Sequence, residues 1–519
     1  MPSGPAAVGT ATDSPPDAHA TSPTTAKVSA VSLKRLASES VIYGLAKIVD
    51  PMIGFLLLPI VTAILRPSDF GLINLFTAIS AVVFTFGSLG IHQAFLRFFT
   101  EDESTPVRAK LLGTSLMLAI GYWLFWWPLG IAAAKPFARI LFESSQPALI
   151  YALLAIGFVE TIDSLGCNAL QASGRAKSYL VSTLAGTFSI RGLALAFILG
   201  GAGAWGWILG EAIGRVIAMV VIAMLVFRQI RPRIDFGRAK TMAIYGGHLV
   251  PAMLSFYVMG ITDKLLIRWL LPNWSEAIGF YAVGERIAAI MHLANMAIIL
   301  GWQRFAFQNM HHEGGGQMIA RGLRLYVILA GLALTALITL GDDLLWAVIH
   351  PSFAPGFKII IPLTIAAFLG GLANLCDVGL HRSKRPGLIS VITTMAAVVN
   401  IAANFAMIPR FGIAGAAYAT VLSQLFRLIV VFAASQKMFR LPMRWPAITM
   451  AIAAYGGVFF IANQFERGPL SWSGPWLEPI AQSAVLLAAT ASLPWWPVWS
   501  DDDRQAMKTT LRKAFRRSR

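Results

Sequence analysis

The chain has 519 residues, of which 56% are hydrophobic and only 13% are charged, with a mean hydropathy of +0.67. A soluble domain of this length needs about twice as much charge to cover its surface, so a water-soluble globular protein is excluded. The net charge of +17 would suit nucleic acid, but the excess sits in short connections and one tail, which points to membrane topology instead. Cys167 and Cys376 fall in apolar segments and read as small buried side chains, with neither a disulfide framework nor zinc spacing.

Residues 1–32 are rich in Pro, Ala, Ser and Thr and lack a continuous apolar run, which predicts a disordered leader rather than a signal peptide. Beyond them, apolar stretches of about 20 residues, enough to cross a ~30 Å hydrocarbon core, follow one another without a gap large enough for a soluble domain. They place spans near 40–65, 71–98, 111–134, 147–171, 179–201, 205–228, 242–271, 277–306, 322–349, 357–381, 387–408, 412–436, 445–465 and 475–499. Breaks fall at turn chemistry such as Arg66-Pro67-Ser68-Asp69, Gly200 to Gly203 and Pro272-Asn273. The expected fold class is an all-α integral membrane protein of about 14 transmembrane helices, since a helix satisfies its backbone polar groups within its own segment. The tail 500–519 is basic and predicts an amphipathic helix at the membrane surface.

Lys and Arg accumulate on the cytoplasmic side of membrane proteins. Most of the 42 basic residues fall in the N-terminal segment, the connections that follow even-numbered spans, and the tail. The bias is steepest at Arg228 to Arg233, Arg382 to Arg385 and the C-terminus. Both termini are therefore expected in the cytoplasm.

The sequence also repeats itself. Ile42-Tyr43-Gly44 opens the first span and Ile244-Tyr245-Gly246 the seventh. Each is followed by a long helix, a short turn containing Gly71 or Gly279, and a second span that ends in Arg97-Phe98 or Arg304-Phe305. Recurrence after six helices gives both copies one orientation and predicts two lobes related by an axis along the membrane normal. The expected organisation is a lobe over 33–228, a linker over 229–241, a second lobe over 242–440, and two further helices over 441–499.

Four stretches carry a family resemblance. They are Leu58 to Gly71 (LPIVTAILRPSDFG), Ala169 to Arg175 (ALQASGR), Thr262-Asp263-Lys264 with Gly279 to Val283 downstream, and Asn400 to Ala419 (NIAANFAMIPRFGIAGAAYA). In this order and spacing the chain resembles Wzx-type polysaccharide flippases of the multidrug/oligosaccharidyl-lipid/polysaccharide exporter superfamily. The likeness is close over about 33–440 and loose over the last two spans. It implies two six-helix lobes around a central cavity, residence in the bacterial inner membrane, and transport of a polyprenyl-diphosphate-linked oligosaccharide for O-antigen or exopolysaccharide biosynthesis. It also implies membrane lipid and a glycan polymerase with its export machinery as partners, and no enzyme activity.

Ionisable residues within spans are costly and are functional candidates by default. A guanidinium grips phosphate through a planar bidentate fork, so the substrate-binding candidates are Arg191 first, then Arg215, Arg286 and Lys47, with Arg427 and Lys264 after them. Lys47 with Asp50, and Glu211 with Arg215, have spacings that let each pair neutralise itself. Arg191 has no acidic residue at helical spacing, although Glu160 or Asp163 on the fourth span could reach it. Glu160 and Asp163 are read either as partners of Arg191 or as a proton or cation site. Asp263, Asn400, Asn404 and Thr420 resemble the sodium site of lipid II-transporting relatives, with an amide at Asn404 where that pattern has a carboxylate. Na⁺ or H⁺ is the expected coupling ion and no other cofactor is implied. No Walker sequence is present to bind ATP. A lipid II flippase and a drug exporter of the same superfamily stand as alternatives. A glycan polymerase fits less well, because the outer connections are too short for a catalytic loop.

The charge bias makes a direct prediction about topology. Phosphatase and fluorescent-protein fusions after Leu65, Gln229 and Arg519 should report periplasm, cytoplasm and cytoplasm in turn. A periplasmic signal at Arg519 would remove the fourteen-span arrangement.

Overall fold

The computed structural model describes residues 42–467, apart from positions 45, 47, 102, 103, 229 and 384, together with positions 483 and 484. The described chain is helical, with α1 Ile42–Ile64, α2 Pro67–Gly87, α3 Ile91–Glu101, α4 Thr105–Ala132, α5 Ala134–Phe142, α6 Ala148–Ala172, α7 Ala176–Leu199 and α8 Gly203–Phe227 forming the N-terminal half. The C-terminal half comprises α9 Phe236–Leu270, α10 Trp274–Asn309, α11 Gly315–Val348, a 3₁₀ turn Pro351–Ile359, α12 Ile360–Cys376, α13 Val378–Arg382, α14 Pro386–Phe411, α15 Ile413–Met438 and α16 Trp445–Arg467. Eleven helical segments among the described residues are long and apolar enough to cross a membrane. A helix meets each of the first thirteen predicted spans. The fourteenth (475–499), the leader 1–32 and the tail 500–519 lie outside the described residues, apart from positions 483 and 484 within the fourteenth.

Three local features depart from the expected spans. Pro67 begins α2 instead of belonging to the turn before it, because its fixed φ and missing N–H suit the first helical position. The second span is not continuous: Leu89 (φ 47°) and Gly90 (φ 62°) are left-handed and divide it into α2 and α3. The connection after the third span contains α5, a short helix that buries Ala134, Ala138 and Phe142 and exposes Phe137 and Ile140. Nine residues are too few to cross a bilayer, so the search for long apolar runs passes over it.

We call the end that carries the connections after odd-numbered spans the distal end, and the opposite end, rich in Lys and Arg, the basic end. The two halves close on each other distally. A Cβ added at Gly71 would lie 1.7 Å from the Ser275 carbonyl oxygen, and one at Gly279 would lie 2.0 Å from that of Pro67. The contact is reciprocal, since Ser275 precedes Gly279 by four residues and Pro67 precedes Gly71 by four. In lipid, apolar surface gains little by leaving the solvent, so close backbone approach through small residues is what joins helices.

Arg268 reinforces the closure. It is 6% exposed. From the end of α9 it donates Nε to the Leu141 carbonyl at 3.1 Å and Nη1 to Glu143 Oε1 at 3.2 Å. Trp274 donates its indole N–H to Glu143 Oε2 at 2.9 Å and stacks under the guanidinium at 5.0 Å. The cation thus caps the C-terminal carbonyls of α5, where the helix dipole is negative.

At the basic end the two seams differ. Gly90 meets Gly246, with an added Cβ 2.3 Å from the Gly246 carbonyl oxygen, and Arg97 stacks on Tyr245 at 4.5 Å. Asp235 caps α9 by accepting from the Gly237 N–H, and its own N–H bonds Thr114 Oγ1 of α4 at 2.9 Å. Gly44 occupies the place of Gly246 in the repeat, yet among the described residues nothing lies within 4 Å of a Cβ built there. Among the described residues, then, the α3–α9 seam is closed at this end and no equivalent contact forms at Gly44.

Replacing Arg268 with Ala should loosen the distal closure. Maleimide labelling of a Ser275→Cys reporter is expected to accelerate severalfold in the Arg268→Ala background. Equal labelling rates would show that the glycine contact closes this end unaided.

Candidate functional site

The central cavity encloses about 610 Å³ between the halves. Asn74 and Thr77 of α2 contribute one side, and α9, α10, α12, α14 and α15 supply the rest. Two charged groups are built into its wall. The first is a network around Asp263, whose Oδ1 accepts from Asn404 Nδ2 at 2.8 Å while Oδ2 accepts from Thr420 Oγ1 at 2.8 Å and Tyr281 O–H at 2.7 Å. Asn404 also donates to Asn400 Oδ1 at 3.1 Å. The four residues singled out from the sequence therefore meet, although Asp263 on α9 lies 141 residues before Asn404 on α14. Tyr281 was missed. It lies inside the Gly279 to Val283 stretch, but only the fold turns its hydroxyl onto Asp263.

Three donors bond the Asp263 carboxylate, whereas the Asn404 Oδ1 is buried without a hydrogen-bond partner among the described residues. Rotating that amide would present Oδ1 to Asp263, and the two oxygens would then need a proton or a cation between them. The donor set of one carboxylate, two amide oxygens and one hydroxyl suits a hard monovalent cation or a proton. Among the described residues no cluster of His, Cys, Asp and Glu has the arrangement of a metal site.

The second group lies one residue along α9. Lys264 pairs with Glu285 at 2.8 Å, so this lysine is neutralised within the protein. The neighbouring Arg286 lines the same cavity and has no ion pair or hydrogen bond among the described residues. Consecutive residues diverge by about 100° around a helix, which separates Arg286 from the pair beside it.

A smaller cavity of about 270 Å³ lies within the N-terminal half and is lined by Asp50, Glu160, Asp163, Arg191, Glu211 and Arg215 among others. Here the expected partner of Arg191, Glu160 or Asp163, is corrected. It is bound in bidentate fashion by Asp50, Nε to Oδ1 at 3.1 Å and Nη2 to Oδ2 at 3.0 Å, and stands 5.5 Å from the Trp207 ring. The reason is tertiary: α1 and α7 are neighbours, and a pair 141 residues apart is invisible to helical spacing. Glu160 is consequently not a partner of Arg191. It pairs with Arg215 at 3.3 Å, while Glu211 binds the same guanidinium at 2.9 Å, as its spacing predicts. Asp163 approaches the Cys167 thiol at 4.0 Å. Asp50 thus binds Arg191; Lys47 lies outside the described residues. Among the described residues Arg427 has no carboxylate at bonding distance and holds two amide oxygens, those of Gln424 (3.4 Å) and Asn374.

Comparison with known proteins supports the sequence resemblance. A model of the polysaccharide biosynthesis protein family matches residues 60–300. The probable low-salt glycan biosynthesis flippase Agl15 of Haloferax volcanii is 23% identical over 196 residues, which are 36% of this chain and 40% of that relative. The chain thus matches less than half of the curated relative's length. The solved structure of the lipid II flippase MurJ in an inward closed conformation superposes with a TM-score of 0.66 at 11% identity, covering 87% of this chain and 98% of that one. An inward-facing MATE family multidrug resistance transporter of the MOP superfamily gives 0.58 at 14% identity, covering 76% and 93%. The all-helical membrane fold is therefore MurJ- and MATE-like, and these relatives are flippases and transporters, not enzymes.

The Arg191–Asp50 pair should behave as a structural neutralisation. Arg191→Ala leaves the carboxylate without its cation and is expected to lower stability by about 1–3 kcal/mol, read as a fall in thermal midpoint in detergent. Adding Asp50→Asn should recover most of the loss. A double variant no more stable than Arg191→Ala would mean that the arginine does something other than offset Asp50.

Proposed function

We propose that this protein is a flippase for lipid-linked oligosaccharides, moving a glycan on polyprenyl diphosphate across the bacterial inner membrane for surface polysaccharide biosynthesis. The observation that carries the reading is Arg286, a cation in the central cavity with no hydrogen bond or ion pair at bonding distance among the described residues, Glu285 and Asp50 acting on it only from further off. A guanidinium within a span costs about 2.5–3.5 kcal/mol on insertion scales, and a diphosphate offsets that cost only while bound. The planar fork also matches phosphate oxygens two at a time. Arg191, the first choice from sequence, is already occupied by Asp50, so the phosphate-binding role passes to Arg286.

The seams support the same reading. With the distal end closed and the Gly44 side unpacked at the basic end, a head group can enter the cavity while its polyprenyl tail stays in lipid. The Lys/Arg bias makes the basic end cytoplasmic, which is where lipid-linked sugars are assembled. Transport then requires the halves to part distally and meet at the Gly44 side, a rocking motion of the kind transporter halves undergo. The Asp263 network is the coupling site in this reading: a cation or proton entering between Asp263 and Asn404 Oδ1 changes how α9, α14 and α15 are tied together.

Arg286→Ala should abolish glycan export and Arg286→Lys should retain part of it, with protein levels checked in the same strains. Export that survives Arg286→Ala would sink the diphosphate role and favour the drug-exporter alternative. For the coupling site, sodium is expected to raise the thermal midpoint of the purified wild type and not that of Asp263→Asn. If only proton concentration moves the two apart, the coupling ion is H⁺; identical responses to both would leave the network purely structural.

A further inference from the structure

Gln424 of α15 lines the central cavity and takes no part in either charged group. Its surroundings decide which end of its amide faces the cavity. Arg427, one turn along the helix, donates Nη1 to Gln424 Oε1 at 3.4 Å and Nη2 to Asn374 Oδ1. A guanidinium is a donor only, so both groups it holds must present oxygen, and the amide orientation is set by chemistry. Gly370 of α12 makes room for it, since a Cβ there would lie 3.2 Å from Oε1. The carbonyl is thus pinned, and Nε2 keeps two hydrogens with no acceptor among the described residues. Gln424 is half-buried and lines the cavity, so these open donors are available to whatever occupies it.

The charge balance narrows what that acceptor is. Lys264 and Glu285 cancel each other and Asp263 is held by neutral donors. Arg286 is matched by a diphosphate in the flippase reading, on which the present inference rests. A carboxylated sugar would bring a further negative charge, and the nearest cation, Arg427, is turned onto the two amide oxygens and does not line the cavity. A carbonyl oxygen is neutral and accepts without donating, which complements an amide NH₂. Sugar hydroxyls both donate and accept and would be read less selectively.

We propose that Gln424 contacts the glycan, its Nε2 donating to the acetamido carbonyl of a sugar near the diphosphate, with Arg427 as the positioning residue that aims it. The two unmatched features of this wall then have one explanation: a half-buried arginine whose hydrogen bonds among the described residues go only to amides, and an amide with its donors unspent.

The test uses the purified full-length chain and three probes: polyprenyl diphosphate, the same lipid carrying one hexose, and the same lipid carrying one N-acetylhexosamine. Binding is measured by native mass spectrometry. Wild type should bind the acetamido probe about fivefold more tightly than the bare diphosphate lipid, the scale of one neutral hydrogen bond. Gln424→Met should erase that preference and leave the affinity for the bare lipid unchanged. Arg427→Met should erase it as well, while Arg427→Lys, which keeps a donor behind the amide, should retain part of it. Gly370→Ala displaces the amide without removing it and should weaken the preference too, which keeps the test decisive if Gln424→Met fails to fold. Equal affinity for the hexose and acetamido probes, or a preference that survives Gln424→Met, overturns the proposal. Failure of wild type to bind even the bare diphosphate lipid is a different result and removes the flippase reading itself.

Discussion

An ionised side chain in the hydrocarbon layer must find its counter-charge inside the protein, because lipid supplies none and water is excluded. Much of the arrangement of this bundle follows from that constraint. Arg191 on α7 is held by Asp50 on α1, and Arg215 on α8 is shared between Glu211 of its own helix and Glu160 of α6. These pairs cross-link the N-terminal half at mid-helix and make it a unit that can move as a body. The C-terminal half treats its charges differently. Lys264 and Glu285 close one pair, Asp263 is stabilised by hydroxyl and amide donors, and Arg286 is left without a partner among the described residues.

The seams between the halves are made of backbone rather than of large side chains. Gly71 and Gly279 each meet a carbonyl of the opposite half, which brings α2 and α10 into direct contact at the distal end. Contacts of this kind are short-ranged and are lost over a small displacement, so they suit a joint that must open and reseal. Arg268 adds direction, since it ties α9 to the carbonyl end of α5 and to Glu143 in one clasp. At the basic end the Gly90–Gly246 contact holds α9 to the break in the second span, and Pro251 interrupts the hydrogen-bond ladder of α9 a few residues further on. The helix that bears Asp263 and Lys264 is therefore gripped at both ends by the other half and softened between them. Movement of the halves must change its shape, which links the cavity wall to the state of the seams.

Much of this was legible in the chain itself. Apolar runs of membrane-spanning length placed the described helices, because crossing a bilayer fixes both the length and the composition of a segment. The i,i+4 pair Glu211–Arg215 followed from helical geometry alone, and so did the separation of Arg286 from Glu285. The motif stretches brought Asp263, Asn400, Asn404 and Thr420 together as candidates before any contact among them was known. The repeat of Ile-Tyr-Gly and of the turn glycines anticipated that Gly71 and Gly279 would occupy equivalent places.

Which arginine is free could not be read that way. Helical spacing reports only neighbours within a turn, whereas Asp50 reaches Arg191 across 141 residues and Glu160 reaches Arg215 across two helices. Tyr281 and Gln424 are ordinary residues in sequence, and their parts depend on which helix stands opposite. The short helix α5 carries no span-length signal, yet it supplies the carbonyls that Arg268 caps. The sequence by itself determined that the chain lives in a bilayer, where its helices run and which charges had to be explained. Tertiary structure alone decided how those charges are shared, because pairing depends on distance in space and distant segments meet only once the helices have packed.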